Sequence, residues 1–166
     1  PKVVFGRKAT EGMSRGAEKL ARLLGLTLGP VAGHVVSAKD SGSDKYETLT
    51  DAATIARRFI ALPQPTEDVG AMMIRQLVWR VRQKVGDGSA TAAVLAQSMI
   101  SEGRRYIAAG ANPMRLRRGM DLGVAAATKA LQEMSEPVEG QDRLAALATA
   151  ASGSVSPYTT DMRSGK

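Results

Sequence analysis

The apolar residues of this chain recur at spacings of three and four, which is the period of one face of an α-helix. The pattern is clearest near the amino end, where it joins Met13, Leu20 and Leu24. It predicts a helix from about Ala9 to Leu28, which the pair Gly29-Pro30 then ends. A chain patterned in this way is expected to fold mainly as α-helices.

The same period continues between turn-forming residues along the rest of the chain. Further helices are predicted after the N-cap candidate Asp51, after the N-cap candidate Thr66 to about Val85, from Ser89 to Gly110, from Asn112-Pro113 to Ser135, and over Gln141–Ala151. Two short strands, His34–Ala38 and Tyr46–Leu49, flank turn residues and predict a small hairpin. The stripe from Leu116 to Leu131 is expected to be buried, as are Met72, Met73, Met99 and Met120.

Composition narrows the classes of function. Aromatic residues are 4% of the chain and hydrophobic residues 43%, so the core must be aliphatic and rich in alanine. There is no cysteine and a single histidine, His34, which excludes disulfides and thiolate sites and leaves little for a zinc site or a Ser-His-Asp triad. No apolar run is long enough to span a bilayer, and no signal peptide is recognisable, so a soluble, cytoplasmic protein is expected. The net charge of +7 is typical of proteins that bind nucleic acid. The arginines, however, are spread along the chain, as is usual for solvated helix faces.

The turn Gly86–Thr91 carries the most informative chemistry. Small residues before a helix allow backbone N–H groups to approach an anion, and the helix N-terminus adds partial positive charge. Asp87 would repel a phosphate unless Mg²⁺ lies between them, and Mg²⁺ prefers one or two carboxylates plus phosphate oxygens. Spacing alone still favours Asp87 as an ordinary helix cap. Spacing alone likewise favours Asp51 as a helix cap. The alternative interpretation is that its carboxylate orients an attacking water.

Several segments, taken in order and spacing, resemble the ATP-binding equatorial domain of the chaperonins, closer to the bacterial Hsp60 type. The segments are Thr27-Leu28-Gly29-Pro30, Thr54-Ile55-Ala56, Gly70-Ala71, Gly86-Asp87-Gly88, Val94-Leu95-Ala96-Gln97 and Ala108-Ala109-Gly110-Ala111-Asn112-Pro113. The resemblance implies a mainly α, equatorial-domain-like helical bundle with a small β-hairpin, incomplete without a C-terminal half. Residues 1–134 would belong to that domain, and 135–166 would be a linker tail where an intermediate domain starts.

The resemblance also implies a set of site residues. Thr27, Leu28, Gly29, Pro30 and Thr50 would line a nucleotide pocket for ATP. Asp87 would hold Mg²⁺, Asp51 would lie near the attacking water, and the phosphates would meet Gly88, Ser89, Ala90 and Thr91. The expected partners are further copies of the chain in a homo-oligomeric ring, non-native client proteins and a co-chaperonin lid, with nucleic acid and membrane not expected.

This chain departs from the family pattern at the pocket. Thr50, Ala52 and Ala90 stand where the family has Lys or Asn, Gly and a hydroxyl residue, and Val31-Ala32 replaces its Lys and Gly. The first hypothesis is a divergent chaperonin segment that binds Mg-ATP and hydrolyses it only within the intact protein. The alternatives are a chaperonin-like scaffold without ATP hydrolysis and a basic helical nucleic-acid-binding module.

Overall fold

A computed structural model describes residues 3–29, 33–38 and 46–153, which form six helices and one two-stranded antiparallel sheet. The elements are α1 (Gly6–Gly25), β1 (Val35–Ala38), β2 (Tyr46–Leu49), α2 (Ala52–Arg58), α3 (Pro65–Val85), α4 (Ser89–Ala108), α5 (Pro113–Met134) and α6 (Gln141–Gly153). The predicted mainly helical fold with a small hairpin is confirmed. The chain divides into two compact units, with the boundary between Ser101 and Glu102.

Helix ends follow local hydrogen bonding. Asp51 and Asn112 cap α2 and α5 with their side chains, as predicted. The prediction of Thr66 as a cap is wrong, because α3 begins at Pro65 and its N-cap is Gln64. Proline has a fixed φ that suits the first helical position, where its missing N–H is not needed. Helix α1 ends three residues earlier than Leu28, since tight i→i+3 bonds close the chain over 24–28.

The first unit is organised by a close crossing of α1 and α3. A Cβ added at Gly16 would overlap the main chain of Glu67, and one added at Gly70 would overlap the main chain of Met13. The two backbones therefore touch at their glycines. Below this crossing, the largest fully buried side chains are Leu20, Leu24, Ile74 and Val78.

Helix α2, the hairpin and the start of α4 complete this core. Ala52, Ala53, Ile55 and Ala56 of α2 are buried in it, and Ala93 of α4 is fully buried. The hairpin pairs Val35 with Leu49, and Leu49 reaches the same cluster. Helices α1, α2 and α3 therefore share one packed core with the hairpin and the start of α4.

The carboxylate of Glu67 in α3 forms ion pairs with two basic side chains of α1. Glu67 is 7% exposed and accepts from Arg15 Nε at 3.0 Å and from Lys19 Nζ at 2.5 Å. The hydrogen bond from Lys19, followed by that from Arg15, holds the pKa of the Glu67 carboxyl below its ordinary value. The buried carboxylate is therefore charged and fully paired.

In the second unit, the described helical surface of α5 is largely exposed. The structure gives α5 no buried residue, so the predicted burial of the stripe from Leu116 to Leu131 is wrong for the described chain. Periodicity identifies the face that packs, not whether its partner is present. Met73, Met99 and Met120 are likewise exposed rather than core residues, whereas Met72 packs against the core. Among the described helices, none is long and apolar enough to cross a bilayer.

Candidate functional site

The turn between α3 and α4 depends on two glycines. Gly86 ends α3 with φ of 88°, and Gly88 precedes α4 with φ of 79°. L-residues rarely adopt this left-handed region, so both positions favour glycine. A Cβ added at either glycine would meet nothing within 4 Å, so this side of the turn is open. The backbone is accessible here to a bulky ligand.

The N-terminus of α4 lacks a side-chain cap in the described chain. Ala92 N donates to Gly88 O at 2.9 Å, which makes Gly88 the N-cap residue. The N–H groups of Ser89, Ala90 and Thr91 precede this first intrahelical bond, and no described side chain accepts from them. No acidic residue lies in the first turn. These amides and the helix dipole favour an anion at this end.

The carboxylate of Asp87 is turned away from that capping role. Its Oδ1 accepts from Gly88 N at 2.6 Å, not from an amide inside α4. Asp87 therefore does not act as an ordinary side-chain cap of α4. Asp87 is exposed, which leaves its second oxygen open to solvent.

Ser89 has a buried hydroxyl without a partner. The residue is 5% exposed, and its Oγ makes no hydrogen bond to any described group. Leaving a buried polar group unpaired costs about 1–3 kcal/mol. This unpaired hydroxyl belongs to the first residue of α4, directly after the Gly88 N-cap. Thr91 is exposed one position beyond Ala90, which packs on the core.

Asp51 uses one carboxylate oxygen to cap α2. Its Oδ2 accepts from Thr54 N at 2.9 Å and from Thr54 Oγ1 at 2.8 Å. Its Oδ1 faces Arg82, whose Nη1 lies 4.0 Å away. The carboxylate is 41% exposed and is oriented by Thr54, so its second oxygen can bind water. Thr50 is half-buried immediately before it.

Arg82 joins two of the predicted site segments and was missed from the sequence. The same Nη1 that faces Asp51 donates to Gly86 O at 2.6 Å. Asp51 and the Gly86–Thr91 turn thus lie within reach of one guanidinium group. The available signal was its position four residues before Gly86, from which an arginine reaches the last carbonyls of a helix.

The third segment follows α1 and adjoins α4. Thr27 Oγ1 donates to Leu24 O at 2.8 Å, and Gly33 N donates to Leu26 O at 2.7 Å. A Cβ added at Gly25 would lie 3.3 Å from Val94 Cγ2, so the end of α1 touches the second turn of α4. Leu28 and Gly29 are exposed beyond this contact, whereas Pro30 lies outside the described residues.

The arrangement fits a polyphosphate that carries its own metal ion. The uncapped amides and the Ser89 hydroxyl offer donors, the two glycines leave the approach open, and Asp87 offers one carboxylate. Across the described ranges, no three His, Cys, Asp or Glu side chains gather as a metal site. A magnesium ion here would draw its other ligands from phosphate oxygens and water.

Comparison with known families agrees with this architecture. The model of the TCP-1/cpn60 chaperonin family matches residues 20–164. The match covers most of the chain and includes Asp51 and the turn Gly86–Thr91. The chain therefore belongs to the TCP-1/cpn60 chaperonin family, and this membership supports a chaperone-like role.

Proposed function

We propose that this chain is the Mg-dependent, ATP-binding segment of a divergent Hsp60-like chaperonin. Residues 1–134 would form part of its equatorial domain, and 135–166 the linker to an intermediate domain. The observation that carries the proposal is the unpartnered, buried hydroxyl of Ser89 at the uncapped start of α4. Family membership makes a nucleotide the natural anion for this position.

The residues of the Gly86–Thr91 turn have separate proposed roles in binding the phosphates and the metal ion. The N–H groups of Ser89, Ala90 and Thr91 donate to phosphate oxygens, and Ser89 Oγ supplies a further donor. Gly86 and Gly88 keep the approach open, since a side chain at either would stand on the exposed side of the turn. Asp87 holds Mg²⁺, which neutralises phosphate charge when bound. Thr27, Leu28, Gly29, Pro30 and Thr50 complete the pocket around the rest of the nucleotide.

Asp51 is the proposed catalytic carboxylate. Thr54 fixes one of its oxygens, and the other, which lies 4.0 Å from Arg82 Nη1, would orient a water for attack on the terminal phosphate. Hydrolysis belongs to the intact protein, in which further chain completes the site. Ring assembly, binding of non-native clients, a co-chaperonin lid and a cytoplasmic location are parts of the same proposal.

Arg82 favours one alternative, a chaperonin-like scaffold that binds nucleotide without turning it over. Its guanidinium lies beside the carboxylate that would orient the water. A cation there competes with water for the free oxygen of Asp51. Steady phosphate release from ATP by the intact protein, abolished by Asp51→Asn, would reject the scaffold. Absence of release with intact binding would support it.

The Ser89 hydroxyl provides the direct test of the binding proposal. In the intact protein, Ser89→Ala should weaken Mg-ATP binding about ten- to a hundredfold, the worth of a hydrogen bond to a charged group. The same change should not destabilise the nucleotide-free protein, because it removes an unpaired buried group. Isothermal titration and thermal unfolding measure both effects, with the exposed Ser98→Ala as control. Unchanged ATP affinity in Ser89→Ala would remove the observation on which the proposal depends.

The basic module makes a different prediction. Its affinity for DNA or RNA would fall steeply with salt, since it rests on phosphate contacts. No binding of a mixed-sequence oligonucleotide at low salt would eliminate it.

A further inference from the structure

The first unit has a groove between α2 and α3, apart from the residues proposed to bind ATP. The groove encloses a cavity of about 320 Å³. Ala53 and Ala56 form its buried floor, and Met72 and Trp79 provide apolar walls. Its volume is at the lower end of ligand pockets, which suits one large side chain. It uses none of the residues proposed to bind ATP.

Two arginines stand over this apolar floor. The Arg57 guanidinium lies 4.9 Å from the centroid of the Trp79 ring. Arg75 Nη2 donates to the Arg57 carbonyl oxygen at 3.4 Å, and its Nη1 lies 3.7 Å from Met72 Sδ. Both groups are therefore held against the groove by contacts with neutral partners.

Neither guanidinium meets a carboxylate in the part of the chain that the structure describes. Their neighbour Arg58 behaves differently, because its Nη2 donates to Glu47 Oε2 at 3.0 Å on the hairpin. The chain as a whole carries a net charge of +7, so its basic side chains outnumber the acidic side chains that could pair with them. Two adjacent cations without counter-charges favour an anionic partner.

We propose that this groove, formed by Ala53, Ala56, Arg57, Met72, Arg75 and Trp79, binds an acidic polypeptide segment that carries a large apolar side chain. The apolar side chain would fill the cavity, and flanking carboxylates would pair with Arg57 and Arg75. Arginine binds carboxylates through two parallel hydrogen bonds, which gives such a contact geometry as well as charge. A segment with an apolar residue between acidic residues would place its apolar side chain on the alanine floor and its carboxylates beside the two arginines.

The groove is less suited to nucleic acid. Single-stranded nucleic acid binds by stacking bases on aromatic faces beside a basic track. Here Arg57 already lies over the Trp79 ring and occupies that face. The small alanine floor offers a hole for a side chain instead of a platform for a base.

Trp79 gives the experiment its own signal, because it is the one tryptophan of the chain. The 166-residue chain is titrated with the blocked peptide Glu-Glu-Leu-Glu-Glu while Trp79 fluorescence is followed. Saturable binding is expected, and each of Arg57→Gln and Arg75→Gln should weaken it about tenfold, the worth of one charge-assisted hydrogen bond. Arg80→Gln, an exposed arginine of the same helix, is the matched control and should bind as the unsubstituted chain does.

Peptide variants separate the contributions of charge and shape. Replacing the leucine by glycine should weaken binding because the cavity stays empty, and replacing the glutamates by glutamines should abolish it. Asp87→Ala should leave peptide binding intact, so failure here is distinguishable from failure of the ATP proposal. Equal losses in Arg80→Gln and the two groove variants would overturn the proposal, as would displacement of the peptide by oligothymidine.

Discussion

Glu67 is a carboxylate held nearly out of water by two cations from the neighbouring helix. Its lowered pKa means that the folded state binds a proton less readily than the unfolded state. The resulting stability is fully present above the ordinary value of 4.5 and is lost as pH falls through the lowered folded value. Acid should therefore loosen the contact between α1 and α3 first.

We expect Glu67→Gln to lower the thermal unfolding midpoint at neutral pH and to flatten its fall as the pH drops below the ordinary glutamate pKa of 4.5. The substitution leaves Arg15 and Lys19 without their shared acceptor. Glu133→Gln, in an exposed pair at 3.8 Å with Lys129, is the control and should change little. Equal pH profiles for the two variants would show that the Glu67 pairs add nothing to stability.

Arg82 connects the proposed catalytic carboxylate to the turn before α4. Its contacts are on the surface, so Arg82→Gln should change the free energy of unfolding by less than about 1 kcal/mol. Its charge lies beside the proposed phosphate site, so the same change should weaken ATP binding several-fold. Titration calorimetry of the intact protein, with Arg80→Gln as control, checks this. A destabilised variant with normal ATP affinity would assign Arg82 a purely structural role.

At the scale of elements, α1 and α3 pack backbone against backbone at Gly16 and Gly70. Gly70→Ala should destabilise by about 1–3 kcal/mol or more, because the added methyl overlaps the main chain of Met13. Gly119→Ala in α5 is the matched control, since its Cβ meets nothing within 4 Å. It should stabilise by up to about 1 kcal/mol through helix propensity. Denaturant unfolding measures both, and a neutral Gly70→Ala would contradict the described crossing.

The sequence predicts these elements well because their signals are local. Apolar period and glycine or proline breaks locate every helix, and the caps Asp51 and Asn112 follow from side chains that accept nearby amides. The start of α3 was misplaced by a competing signal, since Thr66 has a capping side chain but Pro65 fixes the first turn. The contact at Gly70 depends on another helix, so no local pattern could reveal it.

The candidate site divides in the same way. The residues of the Gly86–Thr91 turn are adjacent in sequence, so their motif could be recognised directly. Resemblance to a family added Thr27 and favoured the catalytic interpretation of Asp51 over that of a helix cap. The contacts of Arg82 and the burial of Ser89 could not be predicted from the sequence, because both arise from packing between distant segments. Residues 30–32 and 39–45 of the predicted pocket and hairpin lie outside the described chain.

For the whole molecule, the two units differ in how much surface they bury. The first contains the packed core and the residues of both proposed sites, whereas the apolar stripe of α5 in the second unit is exposed to solvent. The sequence predicted that this stripe would be buried, which is wrong for the described chain. Periodicity identifies an apolar face of a helix but does not tell whether another element covers it.

The proposed role of Asp87 and the α4 N-terminus is to bind a metal-bridged nucleotide. Its most direct test is calorimetric titration of the intact protein with ATP, in Mg²⁺ and then in EDTA, for the unsubstituted protein, Asp87→Ala and the exposed control Asp121→Ala. We predict Mg²⁺-dependent binding that survives in Asp121→Ala and disappears in Asp87→Ala. Binding of Mg-ATP by Asp87→Ala with unchanged affinity would contradict the account.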